Sequence, residues 1–161
     1  MKSRDVPLIY NLFPRHFKTF QEWPGQVPHI RDMGFNWIFV NPFHETGFSG
    51  SLYAVKDYYR MNPYYLPKGA DPADWSPLKE FISACSRDGI KVMMDLVINH
   101  TASDSPLVKQ HPKWYRHDDE GKIVSPFAIH PEEPGKITVW GDLAEIDNEN
   151  SAAKTDRKSV V

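Results

Sequence analysis

Three short apolar runs alternate with two helical patterns between residues 8 and 98, and that alternation leaves few folds open. The first run, Leu8-Ile9-Tyr10-Asn11-Leu12-Phe13, ends at Pro14 and reads as a strand. The second, Trp37-Ile38-Phe39-Val40, is closed by Asn41-Pro42. It is apolar on both parities, so both faces are expected to be buried, as in a parallel sheet covered by helices. The third runs from Ile90 to Ile98. Between the first two, Val27, Ile30 and Met33 recur every third residue. Pro24 and Pro28 confine that helix to its C-terminal part, because proline is tolerated only in a first turn, and Gly34 stands where a left-handed cap belongs. Between the second and third, Leu78, Phe81, Ile82 and Cys85 form one helical stripe. Asp71-Pro72 and Ser76-Pro77 each suit its start, and Gly89 suits its end. Strand, helix, strand, helix, strand is two βαβ units. Chain handedness makes such crossovers right-handed and the sheet parallel.

The remaining segments are less regular. Residues 43–70 show no clean period and are rich in Gly, Pro and Tyr. Loops of this length are functional or disordered, and the aromatics Phe43, Phe48, Tyr53, Tyr58, Tyr59, Tyr64 and Tyr65 favour function. Residues 101–150 are polar and turn-rich, with scattered Trp114, Tyr115, Phe127 and Trp140. They read as a small irregular lobe inserted after the third strand. Residues 151–161 carry no apolar period and are expected to fray.

Composition removes several classes of function. A net charge of −2 gives no bulk electrostatic case for nucleic acid. No apolar run approaches the ~20 residues of a membrane span. The single cysteine, Cys85, has no internal disulfide partner and sits in the helical stripe, where core packing explains it. With no secretory leader in evidence at the N-terminus, a cytoplasmic protein is expected. Neither G-x-G-x-x-G nor a P-loop follows the first strand, and no G-x-S-x-G elbow is present. The seven histidines show no H-E-x-x-H spacing.

Parallel α/β folds bind ligands at the C-terminal ends of their strands. The third run carries Asp95 there, followed by Asn99 and His100. Strand alternation puts Asp95, Val97 and Asn99 on one face. A charged residue in an apolar strand is expensive unless hydrogen-bonded. From spacing alone, a site carboxylate and a carboxylate that ties down a loop are equally good readings.

Three motifs make the case specific. Asp95-Leu-Val-Ile-Asn99-His100 resembles the first signature region of the α-amylase superfamily, glycoside hydrolase family 13. Gly50-Ser-Leu-Tyr53-Ala-Val-Lys-Asp57-Tyr58-Tyr59 resembles the family's loop after the second strand. Leu143-Ala-Glu145-Ile-Asp147-Asn-Glu-Asn150 is similar to its short motif near the end of the lobe after strand three. The motifs fall in family order, and the resemblance spans residues 6–150.

The resemblance implies a fold and a chemistry. The fold would be a (β/α)8 barrel, of which residues 1–100 hold about three βα units and residues 101–150 the inserted lobe. A whole barrel takes about 250 residues, so the chain is read as an N-terminal portion. The substrate would be an α-glucan or maltooligosaccharide, with bonds hydrolysed or transferred by a retaining route. Tyr53 matches the aromatic that stacks on a sugar ring, and His100 the histidine that hydrogen-bonds a sugar hydroxyl. Asp95 matches the aspartate of the active-site floor. Asn99 and Glu145 match calcium-ligand positions, so calcium is admitted though no cofactor is required. Ala54 departs from the family, which commonly has an acid there. The nucleophile and general acid come from later strands, so no catalytic residue is expected in this chain, which should be inactive alone. Strands one and three would be open barrel edges through which copies self-associate. The competing reading is a non-catalytic sugar-binding α/β module.

Overall fold

The computed structural model describes residues 6–133, 135–150 and 153. In chain order its elements are β1 (Ile9–Leu12), α1 (Val27–Asp32), β2 (Trp37–Val40), β3 (His44–Thr46), β4 (Val55–Met61), α2 (Ser76–Arg87), β5 (Lys91–Met94), β6 (His100–Ala102), α3 (Pro106–Gln110), β7 (Phe127–Ile129), β8 (Ile137–Val139) and β9 (Leu143–Glu145). They fall into two compact units. The first comprises the described residues up to Phe43 together with Tyr59–Leu96, and the second His44–Tyr58 together with the described residues from Val97 on. The tail assigned to residues 151–161 lies outside the described residues apart from Ala153. No helix among the described residues is long and apolar enough to cross a membrane.

The first unit is built on a parallel sheet of order β1-β2-β5. Ile9 stands beside Trp37 and Leu12 beside Val40, while Trp37 in turn stands beside Lys91 and Val40 beside Met94. The strands are connected through α1 and α2, the arrangement expected from the alternation. β2 is central because it alone pairs on both sides, so β1 and β5 are the edges of this sheet. Leu12, Ile38 and Val40 are fully buried, as are Phe20, Trp23, Val27 and Phe81. Aromatic rings join these layers: Trp23 lies 4.2 Å from Phe20 and 5.4 Å from Phe81, centroid to centroid.

Several expectations need correction here. The second face of β2 is only half covered, for Trp37 and Phe39 are intermediate where Ile38 and Val40 are buried. The Lys91 ammonium sits 5.2 Å over the Trp37 ring, a cation on an aromatic face rather than apolar cover. In α1, Met33 falls beyond the last helical residue and is exposed. In α2, Ile82 is exposed and Ala84 buried, so the buried stripe runs through Leu78, Phe81, Ala84 and Cys85. Of the two proline starts, Ser76-Pro77 opens the helix. The Asp74 carboxylate accepts from the Ser76 amide at 2.9 Å and its hydroxyl at 2.6 Å. Gly89 ends it with φ +72, a left-handed geometry that side-chain-bearing residues resist. The third strand stops at Met94, so residues 95–98 carry no strand alternation.

The second unit is made of short antiparallel pieces. β6 pairs with β9, setting His100 opposite Glu145 and Ala102 opposite Leu143. β7 pairs with β8, and β3 pairs with β4, of which Val55–Tyr58 belongs to this unit. β4 was invisible in the sequence pattern, because Lys56, Asp57, Tyr58 and Tyr59 interrupt any alternation. Ala54, Ala102 and Leu143 form a small buried cluster. Thr101, also buried, bonds its hydroxyl to that of Tyr115 at 2.9 Å.

Candidate functional site

The residues singled out in the sequence divide between the two units. Asp95 belongs to the first, and Tyr53, Asn99, His100 and Glu145 to the second. The Asp95 amide donates to the Val40 carbonyl at 2.8 Å, continuing the β2–β5 ladder one residue past the strand.

In the second unit the loop after β3 and the strand β6 are drawn together by glycine. A Cβ on Gly47 would stand 2.3 Å from Asp104 Oδ1 and 2.4 Å from Ala102 Cβ. Only hydrogen fits, so the loop carrying Tyr53 can lie against β6. Lys56 Nζ pairs with Asp104 at 3.3 Å, and the Ser105 hydroxyl donates to the Lys56 carbonyl at 2.7 Å.

This approach brings Tyr53 and His100 together. His100 Nε2 lies 3.0 Å from the Tyr53 carbonyl, and since a carbonyl only accepts, Nε2 carries the proton. Nδ1 is buried, with no hydrogen-bond partner among the described residues. The imidazole thus anchors the backbone of Tyr53 while its ring stays 43% exposed. An exposed aromatic ring on a fixed backbone suits the C–H face of a pyranose.

Tyr58 supports the same segment. Its hydroxyl lies 2.8 Å from the Val97 carbonyl and 3.1 Å from the His100 carbonyl. Burial pushes its phenol pKa well above the ordinary value, so it stays a donor. The His44 ring stands 5.8 Å from that of Tyr58. Burial lowers the His44 pKa to about 4 against a smaller opposing pull from Asp57, so the imidazole is neutral at pH 7. In the sequence Tyr58 stood out as a member of the aromatic-rich loop and of the motif after the second strand, whereas no local pattern singled out His44.

Asn99 and Glu145 line one cavity of about 380 Å³ with Arg116, Pro126, Phe127, Trp140 and Asn148. Glu145 Oε1 is already paired with Arg116 Nη1 at 3.0 Å. Calcium takes roughly six to eight oxygen ligands, whereas here a guanidinium holds the only carboxylate that lines the cavity. Among the described residues no three His, Cys, Asp or Glu side chains form a metal set. This donor set does not fit calcium. Arg116 had drawn no attention in the sequence, because nothing local connects it with Glu145, 29 positions on.

Comparison with known proteins bears on this geometry. The model of the glycogen debranching enzyme glucanotransferase domain matches residues 8–119. The chain belongs to the α-amylase superfamily, glycoside hydrolase family 13. Among curated relatives of this family, the alpha-1,4-glucan:maltose-1-phosphate maltosyltransferase of Myxococcus xanthus is 27% identical over 85% of this chain and 25% of its own length. The glucan 1,6-alpha-glucosidase of Streptococcus dysgalactiae subsp. equisimilis is 23% identical over 74% of this chain and 24% of its own. A crystal structure of an alpha-amylase from Lactobacillus plantarum superposes with a TM-score of 0.77 at 26% identity, covering 96% of this chain and 35% of that one. This family member therefore spans about a quarter of the length of those curated relatives. Its structural neighbours are α-amylase barrel enzymes of mixed α/β content.

Proposed function

We propose that this chain supplies the N-terminal three βα units and inserted lobe of a barrel enzyme that hydrolyses or transfers α-glucosidic bonds. Tyr53 stacks on a glucosyl ring of an α-glucan or maltooligosaccharide. His100, whose Nε2 holds the Tyr53 carbonyl at 3.0 Å, keeps that ring in place and belongs to the same sugar-binding surface. That hydrogen bond is the observation that carries the reading. It couples two residues, 47 positions apart, that match two separate family motifs. Asp95 enters through its motif match alone. The relatives support the substrate class, since one is a glucan maltosyltransferase and another a glucan glucosidase.

The chemistry follows from what the residues lack. A retaining glycosidase needs a carboxylate nucleophile and a carboxylic acid about 5 Å apart across the scissile bond. The chain's own share is binding: a flat ring for the C–H face and polar groups for the hydroxyls. Contacts of this kind add to rate where they tighten in the oxocarbenium-like transition state. The protein works without a cofactor, in the cytoplasm, without nucleic acid or membrane, and its edge strands β1 and β5 favour self-association.

Calorimetric titration with maltoheptaose tests this reading, with turnover of an aryl α-glucoside as the second readout. Binding by the wild-type chain is expected, weakened in Tyr53→Ala and kept in full in Tyr53→Phe, with turnover no higher than a heat-killed control. Equal binding by Tyr53→Ala would overturn the sugar contact. Turnover by the chain itself would overturn the absence of catalytic carboxyls. Binding by the chain that gains neither strength nor turnover when the remaining barrel segments of a family relative are supplied would favour the stand-alone sugar-binding module.

A further inference from the structure

The cavity beneath the β7–β8 hairpin has a composition that a metal does not explain. Phe127 and Trp140, 54% and 44% exposed, give it two aromatic walls. Arg116, Glu145, Asn99 and Asn148 give it polar ones. The two charges cancel through the Arg116–Glu145 ion pair, so neither an anion nor a cation is favoured. A guanidinium has five N–H donors, more than the contact of Nη1 with Glu145 Oε1 at 3.0 Å engages. Planar fork, carboxylate and amides together offer donors and acceptors at several angles, while indole and phenyl offer flat apolar faces. A neutral ligand with apolar ring faces and a rim of hydroxyls fits such walls, and a sugar is that ligand.

The cavity is also held open by backbone. The Arg116 amide donates to the Glu145 carbonyl at 3.0 Å, the Val124 amide to the Arg116 carbonyl at 2.9 Å, and the Glu145 amide to the Val124 carbonyl at 2.9 Å. The Trp140 amide donates to the Pro126 carbonyl at 3.0 Å, and the Leu143 amide to the Trp140 carbonyl at 3.0 Å. Binding there orders little that is not already ordered, which lowers the entropic cost of association. At about 380 Å³ the space lies at the small end of ligand clefts, which run from roughly 300 to 1,000 Å³.

We infer that this cavity is a second saccharide subsite, in which Trp140 and Phe127 stack on a glucosyl residue of the α-glucan and Arg116 and Glu145 hydrogen-bond its hydroxyls. The choice of glucan rests on the function proposed above, while the site itself stands apart from Tyr53 and His100. It gives the lobe its own hold on the polymer.

Nuclear magnetic resonance of the five indole N–H groups reads the site directly. With the Trp140 signal assigned from Trp140→Phe, maltotriose is expected to shift it in the wild-type chain and in Tyr53→Ala alike. Arg116→Lys, which keeps the charge and loses the fork, is expected to weaken that shift about tenfold in ligand concentration. Backbone amide spectra show whether each variant keeps the fold. If the Trp140 signal stays fixed at tens of millimolar maltotriose, the subsite does not exist. If it moves with inorganic phosphate instead, the cavity binds anions and the inference is overturned. If the Trp140 shift disappears in Tyr53→Ala, the two sites are one and the inference again falls. A Tyr53→Ala chain that binds maltotriose undiminished and with Trp140 unmoved refutes both readings, whereas loss of binding in that variant with Trp140 unmoved in wild type refutes only this one.

Discussion

Replacing Gly47 by alanine adds one methyl group where, alone among the described glycines, other atoms stand within 4 Å of the new Cβ. The new Cβ would lie 2.4 Å from Ala102 Cβ, where carbon atoms rest about 3.5–4.0 Å apart. It would lie 2.3 Å from Asp104 Oδ1. The second clash is the cheaper to relieve, because a carboxylate can rotate, though it then leaves Lys56 Nζ at 3.3 Å. The first is not. Ala102 is fully buried in β6 opposite Leu143, and the neighbouring Ser103 amide bonds the Asp142 carbonyl at 2.8 Å. The loop must therefore move, and with it the Gly47 amide that donates to the Ala54 carbonyl at 2.8 Å.

Overpacking of this kind costs about 1–3 kcal/mol, and one backbone hydrogen bond lost adds about 1 kcal/mol. A total of about 3 kcal/mol corresponds to a fall in Tm of roughly 6–12 °C for a chain of this size. Circular dichroism melts of Gly47→Ala against wild type measure it. Gly25→Ala is the control, since nothing stands within 4 Å of its Cβ and its φ is not positive. In the Gly47→Ala background, Ala102→Gly should recover part of the loss, so the two substitutions couple favourably. A Gly47→Ala protein melting within about 2 °C of wild type would refute the steric argument.

Two further outcomes follow from the same unit. His44 titrates at about 4 when folded and near 6.5 when unfolded, so between those values the unfolded chain binds the extra proton. Stability is complete above pH 6.5 and declines as pH falls toward 4, by about 3 kcal/mol at ~1.36 kcal/mol per pH unit; urea midpoints across that range should flatten in His44→Gln, and an unchanged slope would exclude His44 as the source. Calcium, for its part, should leave Tm unmoved, because Arg116 holds the Glu145 carboxylate; a rise on adding calcium that reverses with chelator would show that the guanidinium yields to the metal.

The parallel sheet was legible because strand and helix periods alternate cleanly up to Met94, and each helix carries its own punctuation in Pro28, Gly34, Pro77 and Gly89. The second unit was not. Its strands β3, β6, β7, β8 and β9 are three residues long, too short for a period of two to register. Its tertiary order comes from contacts at long separation: His100 to Tyr53, Ser105 to Lys56, Arg116 to Glu145. No local pattern encodes such pairs. The candidate site was therefore visible as motifs and invisible as geometry.

The end of the third strand shows where the two kinds of information part. An apolar run through Ile98 implied that Asp95 and Asn99 share a face, yet β5 ends at Met94 and Asn99 lies in the other unit. Apolar residues continue past the strand because burial does not stop with it: Val97 is 6% exposed, and its carbonyl takes the Tyr58 hydroxyl at 2.8 Å. That hydroxyl, shared with the His100 carbonyl, closes the segment that delivers His100 to Tyr53. The hydrophobic run thus records two successive tasks, sheet formation up to Met94 and anchoring of the segment that carries His100 after it. A substitution at Val97 should then disturb the Tyr53 surface before it disturbs the sheet, which is the reverse of what a nine-residue strand would require.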